Sequence, residues 1–294
     1  IDAIPDVAQN VTIIVCKGST NYLGQTTTIQ KASVKSLTIQ GEFYAYEACD
    51  ANAVAGKVVD ADADFSNFAV GDRVVCTHYS GTVGSSSIDD YFYATITEVG
   101  EGYVQTSEET KVPTTGWRYL INQTVFDGNN GSDIVINIIT PDLLTETLGL
   151  SIINVNARAI AGRSYVNRCI IYDTYGIKAN PEQGSIFDSA VFIPNNGIGG
   201  ALTYGPGTLI VRRSLFVAIS GIAAGAYISE LGRLYCYYSG FFGLYMALDS
   251  CASTCNIYCS TCYIDSTCTY GAYGYNITLV SCTNNAATPV YNLT

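Results

Sequence analysis

Apolar and polar residues alternate along this chain in short runs, and the runs repeat. In the second half, CIIYDTYGI (169–177), AVFIPNNGI (190–198), SLFVAISGI (214–222) and CYYSGFFGL (236–244) fall into register. Each opens on a small residue: Cys169, Ala190, Ser214, Cys236. Two places on stands a larger one: Ile171, Phe192, Phe216, Tyr238. Seven places on comes glycine (Gly176, Gly197, Gly221, Gly243), then an aliphatic residue (Ile177, Ile198, Ile222, Leu244). Alternation of this kind turns one side of a strand inward. Glycine marks a place where the backbone must turn. The opening residues lie 21, 24 and 22 positions apart, and the same step continues to Cys259 and Ser281. A non-helical period of about 22 is one coil of a solenoid. Coils then stack about 4.8 Å apart and equivalent residues form ladders. The small ladder is expected to read Cys169, Ala190, Ser214, Cys236, Cys259, Ser281, and the next inward ladder Ile171, Phe192, Phe216, Tyr238.

The stretches VNRCIIYDTYGI, VRRSLFVAISGI and NITLVSCTNNA resemble coils of the right-handed parallel β-helix proteins of the pectate lyase and phage tailspike type. The resemblance covers residues 149–288. It implies an all-β chain, a right-handed single-stranded parallel β-helix. It implies no particular activity, because that fold carries lyases, hydrolases, adhesins and inert scaffolds.

In the first half, VTIIV, TTTIQ and SLTIQG read as opening coils, and FYAYEACDANAVAG (43–56) also fits a coil. From 57 to 110 the strands lengthen, as in AVGDRVVCTHY and YFYATITEVG, with polar turns between them. That texture resembles a small SH3-like barrel. It predicts a β-barrel-like module inserted in the solenoid, where inserted loops commonly supply the binding face. The division expected is first coils over 1–56, insert over 57–110, return segment over 111–148 and main β-helix over 149–294. TPDLLTETLGL (140–150) reads as a short helix capped by Thr140 or Asp142.

Charge narrows the partners. Lys and Arg number 14 against 25 Asp and Glu, a net charge of −11, which repels a phosphate backbone and argues against nucleic acid. No run of 18 apolar residues is present, so no membrane-spanning helix is expected. The sole methionine is Met246, so Ile1 is expected to follow an upstream segment lost to maturation or truncation. Sequons begin at Asn10, Asn122, Asn130, Asn276 and Asn292.

Five cysteines crowd CASTCNIYCSTCYIDSTC (251–268), and Cys255, Cys259 and Cys262 have the spacing of an iron–sulfur signature. The ladder favours packing instead, since Cys259 shares its column with alanine and serine and buried cysteine behaves as a small hydrophobe. Cys251 and Cys268, outside the ladder, are the disulfide candidates. No metal site is expected. Asp60, Asp62 and Asp64 alternate like the start of a calcium loop, but that loop needs glycine sixth and glutamate twelfth, where Phe65 and Gly71 stand. An exposed strand is the plainer reading. His78 is the only histidine, and nothing in its local sequence orients it.

Asp173, Glu182, Asp188, Glu230, Asp249 and Asp265 are the solenoid's acids. Glycoside chemistry needs two of them about 5–10 Å apart. Asn167, Asp188 and Arg212 share one column and Arg168 and Arg213 another, which reads as a salt-bridged outer face. No catalytic set and no cofactor are expected. Tyr235, Tyr237, Tyr238, Phe241, Phe242 and Tyr245, then Tyr258, Tyr263, Tyr270, Tyr273 and Tyr275, exceed what alternation can bury. An outward aromatic surface suits subunit contact or sugar stacking.

The expectation is a non-catalytic structural protein of a virion surface, most simply of a bacteriophage: tail fibre or spike, receptor-binding or capsid decoration. Its partners would be copies of itself as a homotrimer, other virion proteins and a cell-surface glycan, without nucleic acid or membrane insertion. The alternatives are a secreted polysaccharide lyase or glycoside hydrolase, and a cell-surface adhesin or extracellular filament subunit.

Overall fold

The computed structural model describes residues 10–16, 22–23, 27–29, 34–81, 86–131, 135–138, 143–155, 159–174, 177–179, 185–189, 191–193, 201–203, 207–218, 224–229 and 231–292. Among these residues there is no helix. Three nine-stranded sheets pair parallel throughout, each taking one strand from every turn of the chain. The described residues form a parallel β-helix of nine rungs. Face 1 runs from Asn10–Val15 to Ile277–Val280, face 2 from Tyr22–Leu23 to Thr283–Asn284, and face 3 from Thr27–Ile29 to Thr288–Asn292. The seventh rung shows the unit: Arg233–Tyr237 on face 1, Gly240–Phe242 on face 2 and Met246–Ser250 on face 3.

The ladder is real, but its register differs from the expected one at the fourth repeat. Phe216 pairs with Phe241, not Tyr238, and Leu215 with Gly240, which sets Ser214 level with Ser239. Cys236 belongs to the neighbouring inward column, Val211–Cys236–Cys259–Leu279. The fixed element is the corner between faces 1 and 2. There Arg168, Ser189, Arg213, Tyr238, Thr261 and Ser281 all hold φ between 47° and 55°. These corners lie 21, 24, 25, 23 and 20 residues apart. The longest coil, before Tyr238, displaced the sequence register by three, because inward Cys236 mimics a corner cysteine. Of the expected turn glycines, Gly243 has φ 66°, whereas Gly176, Gly197 and Gly221, like Ala190, lie outside the described residues.

The residue after each corner is small for a reason beyond space. Ser214 and Ser239 donate their hydroxyls to the carbonyls of Arg212 and Tyr237, at 2.8 and 2.9 Å. Cys169, Cys262 and Cys282 turn their thiols to Asn167, Ser260 and Val280 in the same way, at 3.3 to 3.5 Å. Each short donor adds a second bond to a carbonyl that already accepts a backbone amide from the preceding rung, since Asn167, Arg212, Tyr237, Ser260 and Val280 take the amides of Gly149, Ser189, Arg213, Tyr238 and Thr261. A carbonyl oxygen has two lone pairs, and the small donor uses the second.

The predicted helix is absent. Leu144–Leu148 is a strand of face 1, paired with Ser36–Gly41 and Ser164–Asn167, and Thr140 and Asp142 lie outside the described residues. Thr145 and Thr147, fully buried, alternate with the half-buried Glu146 in a period of two, and the β-branched threonines suit that pleat.

A second, antiparallel sheet leaves the helix after Ser36–Gly41 and returns it at Thr124–Gly131. Its order is Tyr44–Ala48, Trp117–Asn122, Arg73–Tyr79, Ile88–Gly100, Tyr103–Thr106, Lys57–Val59. It thus takes in residues on either side of 57–110, and 43–56 is no solenoid coil: Tyr44–Ala48 pairs antiparallel with Trp117–Asn122. The strand RVVCTHY is apolar on both sides, and both are used. Val74 and Cys76 enter the sheet's own core with Phe65, Phe92, Trp117 and Tyr119. Val75 and Tyr79, with Ile88 and Leu120, pack on the outward side of face 2 against Ile170, Val191, Leu215 and Phe242. This cover absorbs part of the aromatic surplus, since Tyr91 lies 4.8 Å from Phe242 ring to ring.

Candidate functional site

The side sheet covers face 2 incompletely, and a cleft of about 500 Å³ remains between them. Tyr91, Phe92, Tyr93, Glu108 and Lys111 line it from the side sheet, and Tyr172, Ile193, Val217 and Ala218 from the solenoid. Tyr93 and Tyr172 stack at 5.2 Å, and the Arg73 guanidinium sits 4.8 Å from the Tyr172 ring and 5.5 Å from that of Tyr93. Burial pulls Arg73 below its ordinary basicity. The Tyr93 hydroxyl is buried and makes no hydrogen bond among the described residues. Lys111 bonds Asp90 and the Tyr91 carbonyl, with its ammonium 5.4 Å from the Tyr91 ring centre. Glu108 accepts bonds from the Thr110 hydroxyl and amide and the Lys111 amide; these, led by the hydroxyl, hold its carboxyl below the usual range. Flat rings beside fixed cations and a carboxylate offer stacking surfaces and directional partners, the chemistry that recognises a polyhydroxylated ring. The aromatic residues were legible in the sequence, but their meeting across two distant segments was not.

The other singled-out residues fall elsewhere. His78 is oriented after all: its Nδ1 lies 2.7 Å from Asp89 and its ring 5.3 Å from Trp117. Asp60, Asp62 and Asp64 lie in the loop that follows Lys57–Val59, not on a strand. Asp60 accepts the Tyr119 hydroxyl and the Asp62 amide, and Asp64 accepts the Ser66 amide, so two of the three are engaged in holding the loop. Asp188, 6% exposed, takes a forked bond from Arg213. Arg168 stands over Tyr44 and Tyr46. Glu182 and Glu230 lie outside the described residues, as does the Asp173 side chain. Asn122 is fully buried, its amide donating to Leu150 and Arg168, so the folded chain closes that sequon. None of the eleven cysteines is in a disulfide, and neither of the two candidates is bridged: Cys251 is exposed and Cys268 buried.

Asp249 stands on the outward column of face 3 between Tyr227 and Tyr273. It is 5% exposed, and one of its oxygens is buried without a hydrogen-bond partner among the described residues. Burial pushes its carboxyl up to about 6. Because the folded-state value is raised, the folded chain holds this proton more tightly than the unfolded one, and stability falls as pH rises from about 4 to about 6. Asp249→Asn is therefore expected to stabilise the fold by about 2 kcal/mol at pH 7.5 and by almost nothing at pH 4, measured by urea unfolding at both. A destabilised variant at pH 7.5 would mean the carboxylate has a partner.

No family model matches the chain, and neither does any curated protein. Solved structures similar to it are phage tailspikes. The tailspike gp61 of Pseudomonas phage phi297 is 11% identical, with 97% of this chain and 62% of that one covered and a TM-score of 0.27. The tailspike gp49 of Pseudomonas phage LKA1 is also 11% identical, over 96% of this chain and 66% of that one, with a TM-score of 0.26. The Gp54 tailspike of Acinetobacter baumannii bacteriophage AP22, solved with A. baumannii capsular saccharide, is 7% identical over 97% and 67%, with a TM-score of 0.25. The chain thus spans less than two thirds of the first. The architecture itself rests on the parallel registers of the three sheets.

Proposed function

We propose that this chain is a non-catalytic receptor-binding shaft on the surface of a bacteriophage particle, and that it holds a host surface glycan in the cleft between side sheet and solenoid. The cleft carries the reading: stacked Tyr93 and Tyr172, the Lys111 cation and the Glu108 carboxylate line one concave surface, with Arg73 held against the two stacked rings. The virion placement follows the likeness of the rungs to tailspike coils. Assembly into a homotrimer would use the outward stripe of face 1, where Tyr165, Ile186, Ile210, Tyr235 and Tyr258 follow one another in register.

Screening the intact protein against bacterial capsular and lipopolysaccharide glycans is expected to find a binder whose affinity drops about tenfold or more in Tyr172→Ala and in Lys111→Ala, with urea midpoints checked for both. Silence across the panel would sink the glycan reading. Release of shortened fragments from the bound glycan would replace it with the lyase or hydrolase reading. A monomer by light scattering at micromolar concentration would remove the trimer.

A further inference from the structure

Three thiols converge inside the solenoid. The sulfurs of Cys236, Cys259 and Cys262 all lie within 4.8 Å of one another, and all three residues are buried. Cys236 and Cys259 are register partners on the inward side of face 1, and Cys262 follows the corner of the eighth rung. The Cys236 and Cys262 sulfurs are 3.7 Å apart. Zinc binds thiolates at about 2.3 Å, which places ligands about 3.8 Å apart along each edge of a tetrahedron. A disulfide instead needs about 2.05 Å. The Cys236–Cys262 separation matches a metal's ligand edge, and Cys259 is within about an ångström of completing the triangle. A fourth thiol is at hand: Cys282 lies one rung further along the corner column and accepts the Cys262 amide at 3.4 Å.

Packing does not require sulfur at these places. Cys236 shares its column with Val211, and Cys259 with Leu279. Cys262 shares its own with Ser214 and Ser239, whose hydroxyls bond the corner carbonyl in the same way. The donor role explains any one corner cysteine. It leaves unexplained why the two columns both turn to sulfur at the same height.

We propose that Cys236, Cys259 and Cys262 form a zinc–thiolate site in the interior of the seventh and eighth rungs, with Cys282 moving in as fourth ligand. Zinc displaces the thiol protons of its ligands, which pass to the buffer, and no electron is exchanged. Cys236, Cys259 and Cys262 are sealed from solvent while Cys282 is half-buried, so the three inner ligands take the ion while the rungs close.

The test is refolding of the reduced full chain, freed of metal by chelator, with one equivalent of zinc or of cadmium as its spectroscopic stand-in. Expected are one ion per chain after desalting, a cadmium–thiolate charge-transfer band and a raised melting temperature. The triple variant Cys236→Val, Cys259→Val, Cys262→Ser carries residue types native to those columns or close to them, and it should take up none. If it does not refold, Cys262→Ser alone decides, with affinity expected to drop tenfold or more. Cys282→Ser should weaken binding, and Cys169→Ser, in the corner column three rungs away, should leave the stoichiometry unchanged. No uptake by the native chain, equal uptake by the Cys262→Ser or triple variant, or a metal-free chain that loses two titratable thiols to a disulfide under air would each overturn the proposal.

Discussion

Phe241→Ala is expected to destabilise the fold by about 4 kcal/mol, the largest effect of any single truncation proposed for this chain. Phe241 is fully buried, and its ring stacks on that of Phe216 at 4.8 Å with 5° between planes. Both rings lie on the inward side of face 2, where each rung touches only the rungs on either side of it. Truncation removes the largest side chain of the seventh rung's inward face and opens a cavity whose walls are hydrogen-bonded strands. Such walls collapse poorly, which places the cost in the upper part of the usual range. The informative control is Tyr238→Gly. The sequence alone puts Tyr238 in this column, whereas the structure puts it at a corner with φ 55° and its side chain only half-buried. Glycine relieves the left-handed conformation there, so the change should be within about 1 kcal/mol of neutral. Urea unfolding of the two variants separates the registers: a severe loss in Tyr238→Gly beside a mild one in Phe241→Ala would restore the sequence-based ladder.

Arg213→Ala ranks second, at about 3 kcal/mol. Its guanidinium forks onto Asp188, which is nearly buried and also accepts from Ser189. Arg213 itself is partly exposed, so its own desolvation is modest. Most of the cost lies in the carboxylate left behind, which keeps one hydroxyl donor in place of a charged fork. The double variant Arg213→Ala, Asp188→Ala is therefore expected to be more stable than Arg213→Ala alone. Additive losses in that cycle would show that the pair interacts weakly.

These two residues also mark how far the sequence could be read. Period two along the strands and a near-constant coil length follow from the pleat and from stacking, and both are written locally, so the β-helix was legible. The turn helix over 140–150 was not dispelled by sequence, because its leucines fit either period in so short a run. The ladder slipped at Tyr238 because the true marker, a left-handed corner before a small donor, is occupied by arginine, serine, tyrosine and threonine in place of glycine. No composition signal announces it. The Asp188–Arg212 column was legible, but the ion pair formed is with Arg213, around the corner. The cleft depended on Tyr93 meeting Tyr172 from opposite ends of an excursion, and the thiol triangle on two columns meeting at one height. Both are long-range facts that only the register supplies.

The side sheet springs from the second rung yet rests on Ile170, Val191, Leu215 and Phe242, one from each of the fourth to seventh rungs. Stacked coils alone would fray one at a time from a free end, each held by a single neighbour. A strut fastened across four of them links their fates, so loosening the middle of the shaft means prising off the whole strut at once. Pulled lengthwise, the molecule should therefore yield in one abrupt extension over that span, with gradual peeling confined to the coils beyond its reach.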